Sequence, residues 1–461
     1  MRTGPRTALR WRARAARLAL VLGAATGMAV SAGSAQAATP ITHVVIIYQE
    51  NHSFDNVLGY WCAVSKRCNG TRLGRLPIGS TVSLTQPPDI VPNVVHTNAA
   101  QRTAVDGGRM DGFAKISGCA KATGYACYSE YRPAQIPNLI ALAGRFAVSD
   151  RTFAMNPVPS FGAHVELVAQ TLDGFTGDNP HVVAGNPIGP GWGCDSFLDA
   201  PWRVTPTSGI VNVPSCVPAK DGSGPYRPSP VPWVPTIMDR LAGKGLSWLL
   251  YAGTAAGAEP HQPRAPDIWS ICPLFADCRY TAQWDSVVPP SQVLTDAAAG
   301  TLPNVSILLP YGPAGATSQH NFESMRLGDN WIGRAVSAIE NGPDWRSTAI
   351  FITYDDCGCF YDHVAPPAGR GIRVPMVIVS PYARPGFTDS TTATFSSMLA
   401  YIEHTFGLAA LAPADANAYD FRNAFDYSQT PLPPIPLGPT PVPRSELRRI
   451  AAHPADADDP T

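Results

Sequence analysis

Charge is scarce in this chain: Asp, Glu, Lys and Arg make up 15% of its 461 residues, against 45% hydrophobic. That leaves ample apolar material for a large core, in one big α/β domain or two smaller ones. A basic excess is also missing. The formal net charge is −1, and beyond residue 37 there are 28 Lys and Arg against 35 Asp and Glu. A mildly acidic body argues against nucleic acid as the partner. No transmembrane segment is expected in the mature chain: the apolar stretch at 18–30 is short of the ~20 residues a membrane helix needs. The first 37 residues hold no adjacent Arg-Arg pair, so a twin-arginine route is not supported. C-x₂-C spacing is absent as well, which favours disulfides over a zinc site.

What is present begins with a leader. Residues 1–37 carry six arginines and no acid, then an apolar stretch, then Ala35-Gln36-Ala37. This is the pattern of a secretory signal with a small-residue cleavage site, with a signal anchor as the alternative. The expected organisation is a signal peptide at 1–37, one folded body at 38–430 and a Pro-rich extended tail at 431–461. Forty-seven prolines imply long ordered loops. The ten cysteines fall into sequence neighbours: Cys62 and Cys68, Cys119 and Cys127, Cys194 and Cys216, Cys272 and Cys278, Cys357 and Cys359. Pairing in that order would staple loops, as expected of a secreted, extracellular protein. Sequence does not fix the connectivity, and a bridge across the single residue Gly358 would be strained.

The stretch ITHVVIIYQENHSFDN organises the rest. Its run from 43 to 48 reads as a strand buried on both faces. The run stops in Gln49, Glu50, Asn51, His52, Ser53 and Asp55. In an open α/β sheet ligands bind beyond the carboxyl ends of the strands. A carboxylate beside a carboxamide at that edge offers hard oxygen ligands to a divalent cation. A solvated turn rich in N-cap formers is the plainer alternative.

Further along, 57–135 reads as loop-rich and 137–146 as a helix with Pro at its start. Pro157 and Pro159 hold an extended approach to Ser160, after which Val165, Val168 and Leu172 share a helical face. Ser160 is therefore expected at a helix N-terminus, where backbone N–H groups and the helix dipole favour a phosphate. His164 lies one turn on. Residues 174–232 form a Gly- and Pro-rich excursion. Strands are expected at 247–251, 305–310, 349–354 and 374–380, and helices at 234–244, 330–340 and 391–408. This alternation predicts a largely parallel sheet covered on both faces.

The segment TAIFITYDDCGCFYDHV is the second centre. A buried strand again ends in acids, Asp355 and Asp356, with Asp362 and His363 beyond. Parallel strands finish on one edge, so Glu50 and Asn51 are expected to face Asp355 and Asp356. Three carboxylates and an amide at one point call for a cation. Oxygen ligation favours one divalent ion, Ca²⁺, Mg²⁺ or Mn²⁺, with Zn²⁺ and iron still open. Asp362 and His363 suit a supporting shell around that ion. A serine hydroxyl beside such an ion points to in-line attack on phosphorus. His96, His164 and His320 are the candidates to stabilise the phosphoryl oxygens or protonate a leaving group.

These residues lie in motifs that resemble the bacterial phosphoesterase family, which holds phospholipases C and secreted acid phosphatases. ITHVVIIYQENHSFDNVLGY is similar to its opening motif. The likeness continues through GGRMDGF, PSFGAHVELVAQTLDGFTGDNP and RSTAIFITYDDCGCFYDHVAPP, and spans about 41–430. The resemblance implies an alkaline-phosphatase-like three-layer α/β/α sandwich over 38–430, with long disulfide-stapled loops. It implies a metal held by Glu50, Asn51, Asp355 and Asp356. It makes Ser160 the nucleophile of a phosphoryl-enzyme intermediate, with His96, His164 and His320 around the phosphate. The chain departs from the family pattern at His52, where Arg is usual, at Cys359 in a usual Gly-Gly step, and at Ser390, where His is common. The phospholipase C branch commonly has Thr at the nucleophile and extra C-terminal domains, so Ser160 and the short tail resemble the acid phosphatase side.

The expected function is a secreted, metal-dependent phosphoesterase acting on a small-molecule ester or a phospholipid head group. The alternatives are a phospholipase C-type phosphodiesterase, a non-catalytic secreted protein that binds metal and phosphate, and a glycosidase. An intact Ser160 speaks against the second, and adjacent Asp355 and Asp356 fit metal ligation better than opposed carboxylates.

Overall fold

Two heptapeptides, HVVIIYQ and TAIFITY, form the centre of the sheet as the strands His43–Gln49 and Thr348–Tyr354. All their residues but His43 are buried. Apolar runs without polar alternation need cover on both faces. The two strands lie side by side and parallel, with Val44 opposite Ala349 and Gln49 opposite Tyr354. In this computed structural model the described residues are 39–189, 191–225, 233–252, 269–310 and 317–452. The leader expected at 1–37 lies outside them.

The eight-stranded sheet has the order Val287–Val288, Trp248–Tyr251, Val305–Leu308, His43–Gln49, Thr348–Tyr354, Met376–Val379, Ala147–Ser149, Thr388–Asp389. Met376–Val379 runs against both its neighbours, and the other pairs are parallel. The sheet is thus largely parallel, as the sequence predicts, with one reversed strand that it does not announce.

Side-chain alternation separates two helical layers. Tyr48 points to one face, its ring 5.2 Å from that of His164 and 5.5 Å from Phe395. Phe351 joins it there, 5.0 Å from Tyr401. Helices Ser160–Ala169 and Phe395–Phe406 therefore cover this side. Tyr354 points to the other, its hydroxyl donating to Gln319 Oε1 at 2.7 Å. The Gln319 amide donates in turn to the Met325 carbonyl at 2.8 Å, at the start of helix Met325–Glu340. Helix Pro137–Arg145 shares this layer: Asn138 donates its backbone N–H to Asp329 at 3.1 Å. The result is the expected α/β/α sandwich.

Several boundaries differ from the sequence reading. The long helix begins at Met325 rather than near 330, because Ser324 Oγ accepts the Leu327 N–H at 3.1 Å and caps it. The region 57–135 contains helices Tyr60–Ser65 and Asn98–Val105. The excursion near 174–232 carries a three-stranded antiparallel sheet of His181–Val182, Leu198–Trp202 and Val211–Pro214. Disulfides join Cys62–Cys68, Cys119–Cys127, Cys194–Cys216 and Cys272–Cys278, as expected. The fifth pairing is corrected: Cys357 and Cys359 are unbonded, their Sγ atoms 4.0 Å apart. A bridge needs about 2.05 Å. Gly358 and Cys359 both take left-handed backbone angles, φ 53° and 50°, in a turn shaped by the acids before it.

Beyond residue 430 the chain runs extended over the Met325–Glu340 layer. Gly438 N–H donates to Asn138 Oδ1 at 2.9 Å and Ile435 N–H to Glu340 Oε2 at 3.1 Å. A short helix, Arg444–Ala451, follows.

Candidate active site

The site is built where the two central strands end. Because Gln49 is paired with Tyr354, the next residues, Glu50 and Asp355, emerge side by side. Asn51 then turns back with φ 58°, a left-handed conformation that Asn tolerates better than most residues. That turn lets its backbone N–H donate to Asp355 Oδ1 at 2.9 Å. Asp355 Oδ1 also accepts the Asp356 N–H at 2.7 Å. Gly358 lies beneath: a Cβ there would stand 2.1 Å from the Asn51 carbonyl oxygen, so only glycine admits this approach.

Ser160 enters from the helix layer. It is the first residue of helix Ser160–Ala169, as expected, with extended Pro159 before it. Its hydroxyl lies 3.0 Å from Glu50 Oε2 and 3.1 Å from Asn51 Oδ1. His164, one turn later, places Nε2 3.1 Å from Glu50 Oε1 and 4.0 Å from Asp355 Oδ2. Glu50, His164 and Asp355 thus bring three ligand atoms within 4.8 Å of one another. The structure sets His164 against the acids.

His96 and His320 stand on the far side of the Asn51 amide, their rings 5.9 Å apart. His96 Nε2 is 2.8 Å from Asn51 Nδ2, and its Nδ1 is 2.9 Å from the Val94 carbonyl. A carbonyl only accepts, so Nδ1 carries a proton, and with the Asn51 oxygen turned to the acids Nε2 offers a lone pair to the amide nitrogen. The histidines, the amide, the acids and Ser160 form one continuous cluster, all of them buried.

The donor set fits a cation. With its oxygen inward, the Asn51 carboxamide has Oδ1 3.0 Å from Glu50 Oε2 and 2.7 and 3.0 Å from the two Asp355 oxygens. Oxygens at such distances repel unless a positive charge or a proton lies among them. Burial, and then the charge of Asp355, push the carboxyls of Glu50 and Asp356 well above their usual range. Asp356 Oδ1 accepts the Gly358 N–H at 2.6 Å, while its buried Oδ2 has no hydrogen-bond partner among the described residues. A divalent ion would relieve each of these. In the opposite orientation the amide nitrogen would donate to Glu50 and Asp355, and its oxygen would accept from His96 and His320. Burial pulls the imidazole of His164 down to about 4, so it is neutral and able to ligate.

Asp362 and His363 do not join this group. Asp362 Oδ2 is 3.1 Å from Arg373 Nε, and His363 Nδ1 is 2.5 Å from Asp55 Oδ2. Arg373 Nη2 reaches Asp55 Oδ1 at 3.1 Å, and its guanidinium stacks 4.1 Å from the Phe54 ring. This buried network clamps the segment after Asn51 to the segment after Asp356. Sequence reasoning named Asp55 without giving it this role, and missed Arg373. An arginine directly before the apolar run VPMVIV is the signal that could have found the second, since it must be paired once buried. His52, the departure from the family's usual Arg, stacks on Phe360 at 4.9 Å and holds Asn56 Oδ1 at 2.6 Å.

Residues 41–409 match the phosphoesterase family. The non-hemolytic phospholipase C of Pseudomonas aeruginosa is 24% identical over 86% of this chain and 58% of its own length. The chain thus spans little more than half of that relative. Phospholipase C A of Mycobacterium tuberculosis is 24% identical over 85% of this chain and 78% of its own. Among solved structures, a protein in the alkaline phosphatase superfamily from Vibrio parahaemolyticus overlaps 82% of this chain and 69% of its own, with a TM-score of 0.33 and 14% identity. Two strand ends carrying the acids, a serine at a helix start and a family match over most of the sequence converge: this chain belongs to the phosphoesterase family.

Proposed function

We propose that this chain is a metal-dependent hydrolase of phosphoric esters, with Ser160 as nucleophile and a phosphoserine intermediate. The observation that carries the reading is the position of Ser160 Oγ, at a helix N-terminus and 3.0 Å from Glu50 Oε2. Glu50, Asn51 and Asp355 would hold the ion, with His164 against Glu50 and the buried, unpartnered oxygen of Asp356 as a further ligand. When bound, the ion would lower the serine hydroxyl's pKa and polarise a phosphoryl oxygen. Glu50 accepts the Ser160 hydroxyl hydrogen bond, orients Oγ for in-line attack and takes up the hydroxyl proton as Oγ bonds to phosphorus. The phosphorus–oxygen bond to the leaving group breaks as the bond to Oγ forms, and water later releases phosphate. The dipole of the Ser160 helix favours the negative phosphoryl group, although its Phe161 and Gly162 N–H groups are already bonded to Asn179 and Gly177. His320 stands beside the Asn51 amide and is the candidate proton donor to the leaving oxygen. His96 positions that amide through its Nε2 lone pair. The four disulfides support a secreted protein, and no described helix is long and apolar enough to cross a membrane.

Monoester, acid phosphatase-like activity is the favoured form, supported by serine at the nucleophile position. The phospholipase C names of the relatives support a diester substrate as the second reading. Hydrolysis of p-nitrophenyl phosphate beside p-nitrophenylphosphorylcholine separates them. Ser160→Ala is expected to lower either activity at least ~10³-fold while metal content stays the same. Unchanged turnover in that variant would remove Ser160 from the mechanism.

A further inference from the structure

A cleft of about 630 Å³ is lined by residues of two segments that are hydrogen-bonded to the surroundings of Ser160. One wall is helix Asn98–Val105, which starts two residues after His96. Gln101 on this helix donates to the His96 carbonyl at 3.1 Å and to the Val158 carbonyl at 2.8 Å, so the wall is tied to the approach to Ser160. The other wall is the segment from Thr176 to Asn179. Gly177 accepts the Gly162 N–H at 3.2 Å, and Asn179 Oδ1 accepts the Phe161 N–H at 3.0 Å. Asp178, which lines the cleft, is therefore one residue from each contact with the first turn of the serine's helix.

The charges in the cleft are unequal. Arg102 and Arg203 line it, with Asp178 the one acid. Asp178 is engaged: Oδ1 accepts the Asn98 N–H at 2.8 Å and Oδ2 the Thr176 hydroxyl at 3.4 Å. Arg102 uses Nε on Asn98 at 2.7 Å, and Arg203 uses Nη1 on the Pro206 carbonyl at 3.1 Å. Among the described residues neither guanidinium has an ion pair with an acid. Two forked donors lining one open cleft match the oxygens of a phosphoryl group. Pro201 and Ile210 add an apolar side suited to a carbon skeleton.

We propose that this cleft receives a second phosphoryl group of the substrate, so that organic phosphates carrying two phosphoryl groups are preferred over monophosphates. The proposal rests on the hydrolase reading and names the substrate class of that same site. Arg102 and Arg203 are the specificity residues, and neither takes part in bond breaking.

The test is phosphate release from fructose 1,6-bisphosphate and from fructose 6-phosphate, with the full chain and added Mn²⁺ or Ca²⁺. Wild type is expected to show a kcat/KM ratio of roughly ten or more in favour of the bisphosphate, beyond the twofold that two phosphates give by number. The ratio should shrink as salt rises. In R102A/R203A it should fall to about two, with kcat/KM on the monophosphate unchanged and thermal melting preserved. A wild-type ratio near two, or a high ratio that survives the double variant, would overturn the proposal while leaving the hydrolase reading intact. Release from neither sugar phosphate nor from p-nitrophenyl phosphate would instead strike the hydrolase reading on which it stands.

Discussion

Asn51 meets Asp355 twice. Its backbone N–H donates to Oδ1 at 2.9 Å, and its inward amide atom lies 2.7 Å from the same oxygen. One carboxylate oxygen thus senses both the turn after the first strand and the orientation of the carboxamide.

Removal of the ion is expected to loosen the protein as well as silence it. Without a cation, Glu50, Asp355 and Asp356 repel one another in a buried pocket. An ion supplied at 100 times its Kd adds ~2.7 kcal/mol, worth a few degrees in Tm. Dialysis against a chelator should lower Tm and abolish phosphate release, and both should return with metal. Activity that survives chelation would remove the metal from the reading.

Gly358→Ala should be costly although it adds one methyl group. Its Cβ would collide with the Asn51 carbonyl oxygen at 2.1 Å, in a backbone conformation with φ 53°. A loss of roughly 2–4 kcal/mol is expected. Because the residue that must move is Asn51, metal affinity should fall too. Urea unfolding and a metal titration check the two effects.

Arg373→Met should destabilise by roughly 3–5 kcal/mol. The side chain is fully buried between Asp55 and Asp362, and its removal leaves two buried carboxylates without compensation. The triple variant with Asp55→Asn and Asp362→Asn should recover part of that loss, as a denaturation series would show.

Glu340 sets a pH dependence at the C-terminal segment. Burial pushes its carboxyl up to about 7, against the opposing pull of the Ile435 N–H and Arg145. A folded pKa above the unfolded value near 4.5 means that folding favours the proton. The associated stability is complete below pH ~4.5 and is lost as pH rises through about 7. Glu340→Gln keeps an acceptor for Ile435 and should flatten the fall in stability between pH 5 and pH 8, measured by urea midpoints.

Much of this was legible in the sequence. Two apolar runs that end in acids announce both the sheet and its edge, and paired prolines before Ser160 announce the helix start. The register of Gln49 with Tyr354 was not legible, because an apolar run carries no partner information. Nor does it carry direction, which is why Met376–Val379 gave no sign of running backwards. Helix Asn98–Val105 escaped notice because it buries small or polar residues, Ala100, Gln101 and Ala104, and relies on a Thr97 cap. His164 was read from its spacing to Ser160. Its partner Glu50 comes from a distant strand, which spacing along the chain does not reveal.

The pairing of the first strand with the strand before Asp355 has a consequence for how the protein is made. Asn51 and Asp355 are bonded across 304 residues of chain. Loop closure over that span comes late, so the ribosome must emit most of the polypeptide before any ligand set exists. Metal capture then reports a finished fold, and a fragment that stops short of the second strand would have no centre to assemble.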